Sequence, residues 1–299
     1  MIIGIDIGGS HIAIGVIVKK NNEYIINEKI SQYIGDISLN EKQKYIEGFL
    51  PKAIKAIQIQ KEEKIEKIGV GIPGEVIDGV VYNSVNLGIQ ELKIEKILQK
   101  YTKNIIVRND TVCAALAEKE NGKLEKYDNC IFLGIGTGVG LIVFNEKSII
   151  KPRGKYFLDY GHSIIELNGK NCKCGKNGCL EQYISMKILK NILKNNYEYD
   201  LKPEEIVKIE EEKDSKKLKE IAEEYISYLV ISLVNLIELF KPEAICLGGS
   251  FSKLEGTYIF NEVIKRVNRA KLFTNCKRPE IIAAKHNNDA GIIGSIIDE

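Results

Sequence analysis

The sequence predicts an α/β fold built in two related halves. Up to about residue 110, short apolar runs of strand length alternate with amphipathic helical stretches, the signature of a layered α/β architecture. One pattern also occurs twice, at 1–16 and at 131–144: an apolar strand, a glycine turn carrying a hydroxyl, and a second apolar strand. Such self-similarity suggests an internal duplication. A length of 299 residues suits one large or two medium domains, each with its own core.

In chain order, residues 1–16 read as two strands joined by Gly8-Gly9-Ser10. Two such hairpins facing one another across a cleft would hold a polyphosphate from both sides, through backbone N–H groups and the hydroxyls of Ser10 and Thr137. Only the first copy carries an acid, Asp6. A single carboxylate beside a triphosphate is what Mg²⁺ requires, since it takes oxygen ligands and keeps several waters. Without the second hairpin, Asp6 would read as a strand-end residue satisfied by the turn.

A third strand at 24–30 leads to an amphipathic helix over 39–59, then to a strand at 65–71 and the turn Gly71-Ile72-Pro73-Gly74. Proline and glycine there let the backbone face a ligand, or simply turn the chain. Residues 80–88 are expected as an exposed polar loop carrying Asn83, Ser84 and Asn86. An asparagine amide both donates and accepts, which suits hydroxyl recognition. A helix over 91–101 follows.

The stretch from Arg108 to Gly140 organises the chain. Residues 104–108 read as a strand and 111–120 as a helix, so Asp110 falls at a strand-to-helix junction, where the helix N-terminus favours an ionised carboxylate and where ligands bind in open α/β sheets. Gly134-Ile135-Gly136-Thr137-Gly138-Val139-Gly140 offers a backbone that approaches anionic oxygens closely. Each motif has a second meaning: Asn109 and Asp110 are also preferred helix caps, and glycines between apolar strands also make a tight hairpin.

Residues 151–182 have little periodicity but contain Tyr160-Gly161-His162 and Cys172-Lys173-Cys174-Gly175-Lys176-Asn177-Gly178-Cys179-Leu180-Glu181. One His and three Cys match the donor set of a structural Zn²⁺ site, and the glycines let the loop fold round an ion. Such a site would fix the loop and position the flanking acids Asp159 and Glu181. A helical region spans 182–240, with an exposed charged interruption at 202–217 and a long apolar-striped helix at 218–240. A buried strand at 244–250 ends in Gly248-Gly249-Ser250, a third glycine turn suited to pass beneath a nucleotide. A helix at 257–270, a strand at 280–284 and a helix at 289–297 finish the chain, the last with glycines spaced for close packing.

With 44% hydrophobic and 28% charged residues the chain reads as an ordinary soluble globule. No apolar run approaches the roughly 20 residues of a membrane helix and no secretory signal precedes the first strand, so a cytoplasmic location and no membrane partner are expected. A net charge of +2 does not suggest a nucleic-acid partner. Of seven cysteines, Cys113, Cys130, Cys246 and Cys276 read as small core residues, while the other three are clustered, which in a reducing compartment argues for metal over disulfides.

Together these motifs resemble the ROK family (repressors, open reading frames and kinases), a branch of the actin-like, sugar-kinase and Hsp70 ATPase fold. The resemblance spans essentially the whole chain. It rests on Asp6-Ile7-Gly8-Gly9-Ser10, the 71–74 turn, Asn109-Asp110, the 134–140 loop, Gly161-His162, the cysteine box, Leu247-Gly248-Gly249-Ser250 and Asp289-Ala290-Gly291-Ile292-Ile293-Gly294. It implies two actin-like (ribonuclease H-like) α/β domains with a cleft between them and a zinc-bearing loop insertion. The first would be residues 1–110 joined by the terminal helix at about 286–299, the second residues 111–285 with the zinc loop at 159–181.

By that resemblance the chain is an ATP-dependent sugar kinase acting at a 6-hydroxyl, with glucose the expected substrate and another hexose or an N-acetylhexosamine such as N-acetylmannosamine the alternative. Asp110 corresponds to the general base. Asn109, Gly71, Pro73, Gly74, Asn86, Asp159, His162 and Glu181 would line the sugar pocket. Asp6, Gly8, Gly9, Ser10, Gly136, Thr137, Gly138, Gly248 and Gly249 would hold Mg-ATP, and His162, Cys172, Cys174 and Cys179 would bind structural zinc. The family usually has Glu in Glu-X-Gly-His, where this chain has the shorter Asp159, and His11 departs from the more frequent Lys or Asn. The resemblance also implies a homodimer. Sugar-responsive repressors in the family carry a winged-helix domain ahead of the first phosphate turn, whereas Asp6 lies close to the first residue, so a DNA-binding role is not expected. A non-catalytic sugar-binding relative is the remaining alternative.

Overall fold

The computed structural model describes residues 1–298 apart from 22, 155, 156, 214 and 274. It forms two compact units, Met1–Glu125 with Asn288–Glu299, and Lys126–Asn287. The expected boundary after residue 110 differs from this grouping: the helix that begins at Asp110 lies with the first unit, packed on its sheet and on its last helix. Residue 299, the end of the expected terminal segment, is outside the described residues.

The first unit contains strands β1 (Ile2–Ile7), β2 (His11–Lys20) and β3 (Glu23–Tyr33), helix α1 (Leu39–Lys61), strands β4 (Lys67–Ile72), β5 (Glu75–Ile77), β6 (Val80–Ser84) and β7 (Ile89–Leu92), helix α2 (Ile94–Leu98), strand β8 (Ile105–Asn109) and helix α3 (Asp110–Asn121). Its main sheet runs β3-β2-β1-β4-β8, with β3, β2 and β1 antiparallel and β1, β4 and β8 parallel.

The two faces of this sheet follow from the period-2 pattern of its strands. Ile3, Ile5 and Ile7, Ile12, Ile14 and Val16, and Ile68, Val70 and Ile72 are buried in one core with Ile46, Leu50, Ile54 and Ile57 of α1. On the opposite face each of these strands carries a glycine near its middle. Gly4, Gly15 and Gly69 form a trough for the last helix, Ala290–Ser295: a Cβ on Gly4 would strike the Ile292 carbonyl, one on Gly69 the Ser295 carbonyl, and one on Gly15 the Ile292 side chain. The helix answers with its own glycines, Gly291 lying over Asp6 and Gly294 over the Cys113 carbonyl of α3. Removing side chains on both partners is what permits so close an approach.

Two expectations change here. Residues 80–88 are not a polar loop: β5, β6 and β7 form a small antiparallel sheet, and Ser84 is buried in it, whereas Asn83 and Asn86 are exposed. The helix expected over 91–101 is the strand β7 and the short α2, because Leu92, Ile94 and Leu98 are anchored separately in the core.

The second unit repeats the plan. Strands β9 (Cys130–Ile135), β10 (Val139–Asn145) and β11 (Ser148–Ile149) are antiparallel, and β12 (Ala244–Gly248) and β13 (Glu280–Ala283) add in parallel, in the order β11-β10-β9-β12-β13. The duplication expected from the two hairpins extends to the parallel strands beside them. Its helices are α4 (Glu181–Ile184), α5 (Met186–Asn196), α6 (Pro203–Glu212), α7 (Lys216–Phe240) and α8 (Tyr258–Arg269). Ile131, Leu133, Ile135, Ile245 and Leu247 share a core with Tyr225, Leu229, Leu233 and Leu236 of α7 and Val263 of α8. The stretch at 202–217 is not merely exposed: α6 buries Ile206 and Val207. Among the described residues no helix is long and apolar enough to cross a membrane.

Candidate functional site

In the first unit, β8 delivers Asp110 to the start of α3. One Asp110 oxygen accepts the Thr111 amide at 2.8 Å, and burial pushes its carboxyl above the usual range against the pull of those hydrogen bonds. A half-buried acid with a raised proton affinity is matched to taking a proton at neutral pH. Asn109 serves as the helix cap, its Oδ1 accepting the Thr111 amide at 2.9 Å while its Nδ2 donates to the Gly74 carbonyl at 2.9 Å. Asn109 thus acts as the helix cap and as a brace to the 71–74 turn.

That turn is not uniform. Gly71 is buried inside β4, where a Cβ would stand 3.1 Å from the Cys113 sulfur, so its missing side chain serves the packing of α3. Pro73 and Gly74 are half-buried, and Gly74 has φ +120° with the Ser84 Cβ 3.0 Å from where its own would be. Asn86 is exposed on the one-turn helix Val85–Leu87, its Cβ 3.6 Å from a Cβ built on Gly9.

The Gly8–Ser10 turn is closed by the Gly8 amide donating to the His11 carbonyl at 2.8 Å. The Ser10 hydroxyl is exposed and lies 3.0 Å from His11 Nδ1, and the His11 ring meets Tyr33 edge-on. Beneath the turn, Asp6 has its carboxyl pushed up to about 7 by burial and then by the charges of Asp110 and Asp289, with Lys29 opposing. Lys29 is held by Asp289 at 2.5 Å. A Cβ at Gly291 would fall on the Asp6 carboxylate, so that glycine keeps the space around it clear. A carboxylate crowded by others and given room fits a cation bound directly or through water.

Lys42 of α1 was not anticipated. It is 5% exposed and its ammonium donates to the Gly9 carbonyl. The sequence did hold the signal: Lys42 occupies a core position of the stripe Ile46, Leu50, Ala53, Ile54, Ile57, where an apolar residue is expected.

In the second unit, the β9–β10 turn leaves Gly136 open on its Cβ side and Thr137 exposed, whereas a Cβ at Gly138 would come 2.6 Å from Glu181 Oε2. That oxygen accepts the Val139 amide at 3.0 Å. Gly248 lies under the Phe132 ring, and Gly249, at φ +66°, is turned against the Ile135 carbonyl, so the third glycine turn sits beside the end of β9.

His162, Cys172, Cys174 and Cys179 come together with their ligand atoms all within 4.8 Å of one another. Cys172 Sγ lies 3.7 Å from His162 Nδ1 and Cys174 Sγ 3.6 Å from Cys179 Sγ. Sulfurs about 2.3 Å from a tetrahedral Zn²⁺ stand about 3.8 Å apart, so these spacings fit that ion. Burial pushes the Cys179 thiol up to about 12, with its two thiol neighbours adding to the shift, and a cation would reverse both effects. With Nδ1 on the cysteine side, His162 keeps Nε2 for another partner. Asp159 is exposed at the start of the turn Tyr160–His162, which the Tyr160 hydroxyl fastens to the Ser232 carbonyl of α7 at 2.7 Å. Glu181 begins α4 two residues after Cys179, so the cysteine loop and the second glycine turn share one carboxylate.

The model of the ROK family matches residues 2–297. The chain is 28% identical to the N-acetyl-D-glucosamine kinase of Vibrio vulnificus, over 99% of its own length and 98% of the relative's. It is 26% identical to the glucokinase of Thermotoga maritima, covering 100% and 97% of the two chains. The fold is that of the ROK family glucokinase from Streptomyces griseus in complex with glucose and AMPPNP, with a TM-score of 0.80 at 22% identity over 98% of this chain and 97% of that one.

Proposed function

The chain belongs to the ROK family, and from that premise we propose that it is an ATP-dependent kinase transferring the γ-phosphoryl group to the 6-hydroxyl of a hexose. The observation that carries this reading is Asp110, a carboxylate with raised proton affinity held by a first-turn amide of α3, in the same unit as the Gly8–Ser10 turn with its exposed Ser10 hydroxyl. In this assignment Asp110 draws the proton from the 6-hydroxyl as that oxygen attacks in line, and the turn's amides and Ser10 receive the phosphoryl oxygens.

Within the first unit, Asn109, Pro73, Gly74 and Asn86 would orient the sugar; Asp159, His162 and Glu181 are the sugar-facing candidates of the second unit, taken by itself. Gly136, Thr137, Gly138, Gly248 and Gly249 serve the nucleotide. Asp6 would hold Mg²⁺, which when bound offsets the phosphoryl charge. His162, Cys172, Cys174 and Cys179 would hold a structural zinc ion, fixing the loop without joining the chemistry.

Glucose is the first substrate of this proposal. N-acetylglucosamine is the second reading, favoured by the Vibrio vulnificus relative. The test is ADP release with Mg-ATP across hexoses and N-acetylhexosamines, repeated with Asp110→Asn. Turnover on one sugar, lost by about 10²-fold or more in the variant while sugar binding persists, supports the reading. Silence on every sugar, or a variant as fast as the parent, overturns it.

A further inference from the structure

Lys42 is buried with one hydrogen bond, from its ammonium to the Gly9 carbonyl. Among the described residues no carboxylate lies within ion-pair distance of it, and two of its three donors are unused. It stands in the opening turns of α1, the end of a helix whose backbone disfavours a cation. A buried charge without a counter-charge is costly, and a carbonyl alone offsets little of that cost. An apolar residue in its position would extend the α1 stripe at no such penalty.

The surroundings point to what offsets it. Three segments converge on the start of α1: the Gly8–Ser10 turn through the Lys42–Gly9 bond, the Val85–Leu87 turn through Asn86 against Gly9, and Gly88 against the Leu39 backbone. The Gly8–Ser10 turn itself holds no cation, and the His11 ring is engaged by the Ser10 hydroxyl and Tyr33.

We propose that Lys42 is a phosphoryl-binding residue, its ammonium resting on the Gly9 carbonyl and directed to the oxygens of the phosphoryl group received by the Gly8–Ser10 turn. This rests on the kinase reading above. Helix α1 thus supplies from a distant part of the sequence the positive charge that the turn's own residues lack.

The test compares Lys42→Met and Lys42→Arg with the parent by calorimetry against Mg-AMPPNP and against Mg-ADP, which lacks the transferred group, together with thermal unfolding of the ligand-free proteins. The expected result is a loss of about tenfold or more in AMPPNP affinity for Lys42→Met, less than about twofold for ADP, and recovery of most of the AMPPNP affinity in Lys42→Arg. Ligand-free Lys42→Met should unfold at the same or a higher temperature, because an uncompensated buried charge is gone. Parent-like AMPPNP affinity in Lys42→Met, or an equal loss for AMPPNP and ADP, overturns the proposal and leaves Lys42 as an anchor of the turn. If the parent itself binds no AMPPNP and phosphorylates no sugar, the kinase reading falls and this one with it, so the two failures are distinguishable.

Discussion

The Glu181 carboxylate accepts a hydrogen bond from the Val139 amide at 3.0 Å, and Gly138 has no side chain where that carboxylate lies. The last cysteine of the metal-type cluster is thereby linked, through two residues, to the second glycine turn. Gly138→Ala would force Glu181 off its acceptor position. The fold should survive, because Glu181 is half-exposed and free to rotate. The expected outcome is a fall of about tenfold or more in kcat/KM with a small change in Tm, in line with the sensitivity of phosphoryl transfer to small displacements. An unchanged kcat/KM would remove Glu181 and its turn from the working site.

For the cysteine cluster, metal analysis of protein purified without chelator should find about one zinc per chain, and Cys174→Ser should reduce it. Because Cys174 is the exposed member, its loss should loosen the 159–181 loop more than the core. Limited proteolysis within that loop, with Tm lowered modestly, is the expected signature. Zinc-free parent protein with a protease-resistant loop would refute the assignment.

Asp6 gives a pH dependence whose direction follows from its environment. Its carboxyl is raised from 3.8 to about 7, so between those values the folded protein keeps a proton that the unfolded chain has lost. Stability of the ligand-free protein should therefore fall as pH rises through this window and level off above it. Asp110 is shifted in the same direction. Measured as Tm from pH 5 to 8 without divalent ions, the slope should be shallower in Asp6→Asn. Magnesium affinity in the presence of ATP should rise with pH through about 7 and lose that dependence in the variant. A parent curve that is flat or rising would contradict the crowding of carboxylates around Asp6.

Gly294→Ala should be among the most destabilising single-methyl additions in the chain, since its Cβ would overlap the Cys113 carbonyl. Backbone on both sides cannot yield as a side chain would, so a loss of about 1–3 kcal/mol or more is expected in chemical unfolding. Gly136→Ala, whose Cβ meets nothing, is the control.

Much of the fold and of the candidate site is legible in the sequence. The hairpins at 1–16 and 131–144, the strand-to-helix junction at Asp110 and the Cys-X-Cys box are local patterns with strict backbone demands, and they stand where the sequence puts them. The small sheet β5–β7 was missed because its strands are three to five residues long, too short for periodicity to separate strand from loop. Asn109 was ambiguous because cap and ligand contact ask for the same amide; only the Gly74 carbonyl reveals the bracing role. Gly71 looked like part of a ligand-facing turn, but the need for glycine comes from Cys113, which is far away in sequence. Lys42 escaped notice because a lone lysine on an amphipathic helix is normally solvated, and its partner, Gly9, lies 33 positions upstream.

The last helix, Ala290–Ser295, belongs to the first unit although the whole of the second unit intervenes. During synthesis the glycine trough of β1, β2 and β4 thus stays open to water while more than half the protein is made. The second unit, continuous from Lys126 to Asn287, can fold on emergence, but the face that bears Asp6 gains its cover only when residues 290–297 leave the ribosome. Phosphoryl-transfer competence, on the function proposed here, would then wait for the Ala290–Ser295 helix, and a nascent chain stalled before that point would carry an unsealed first unit for chaperones to recognise.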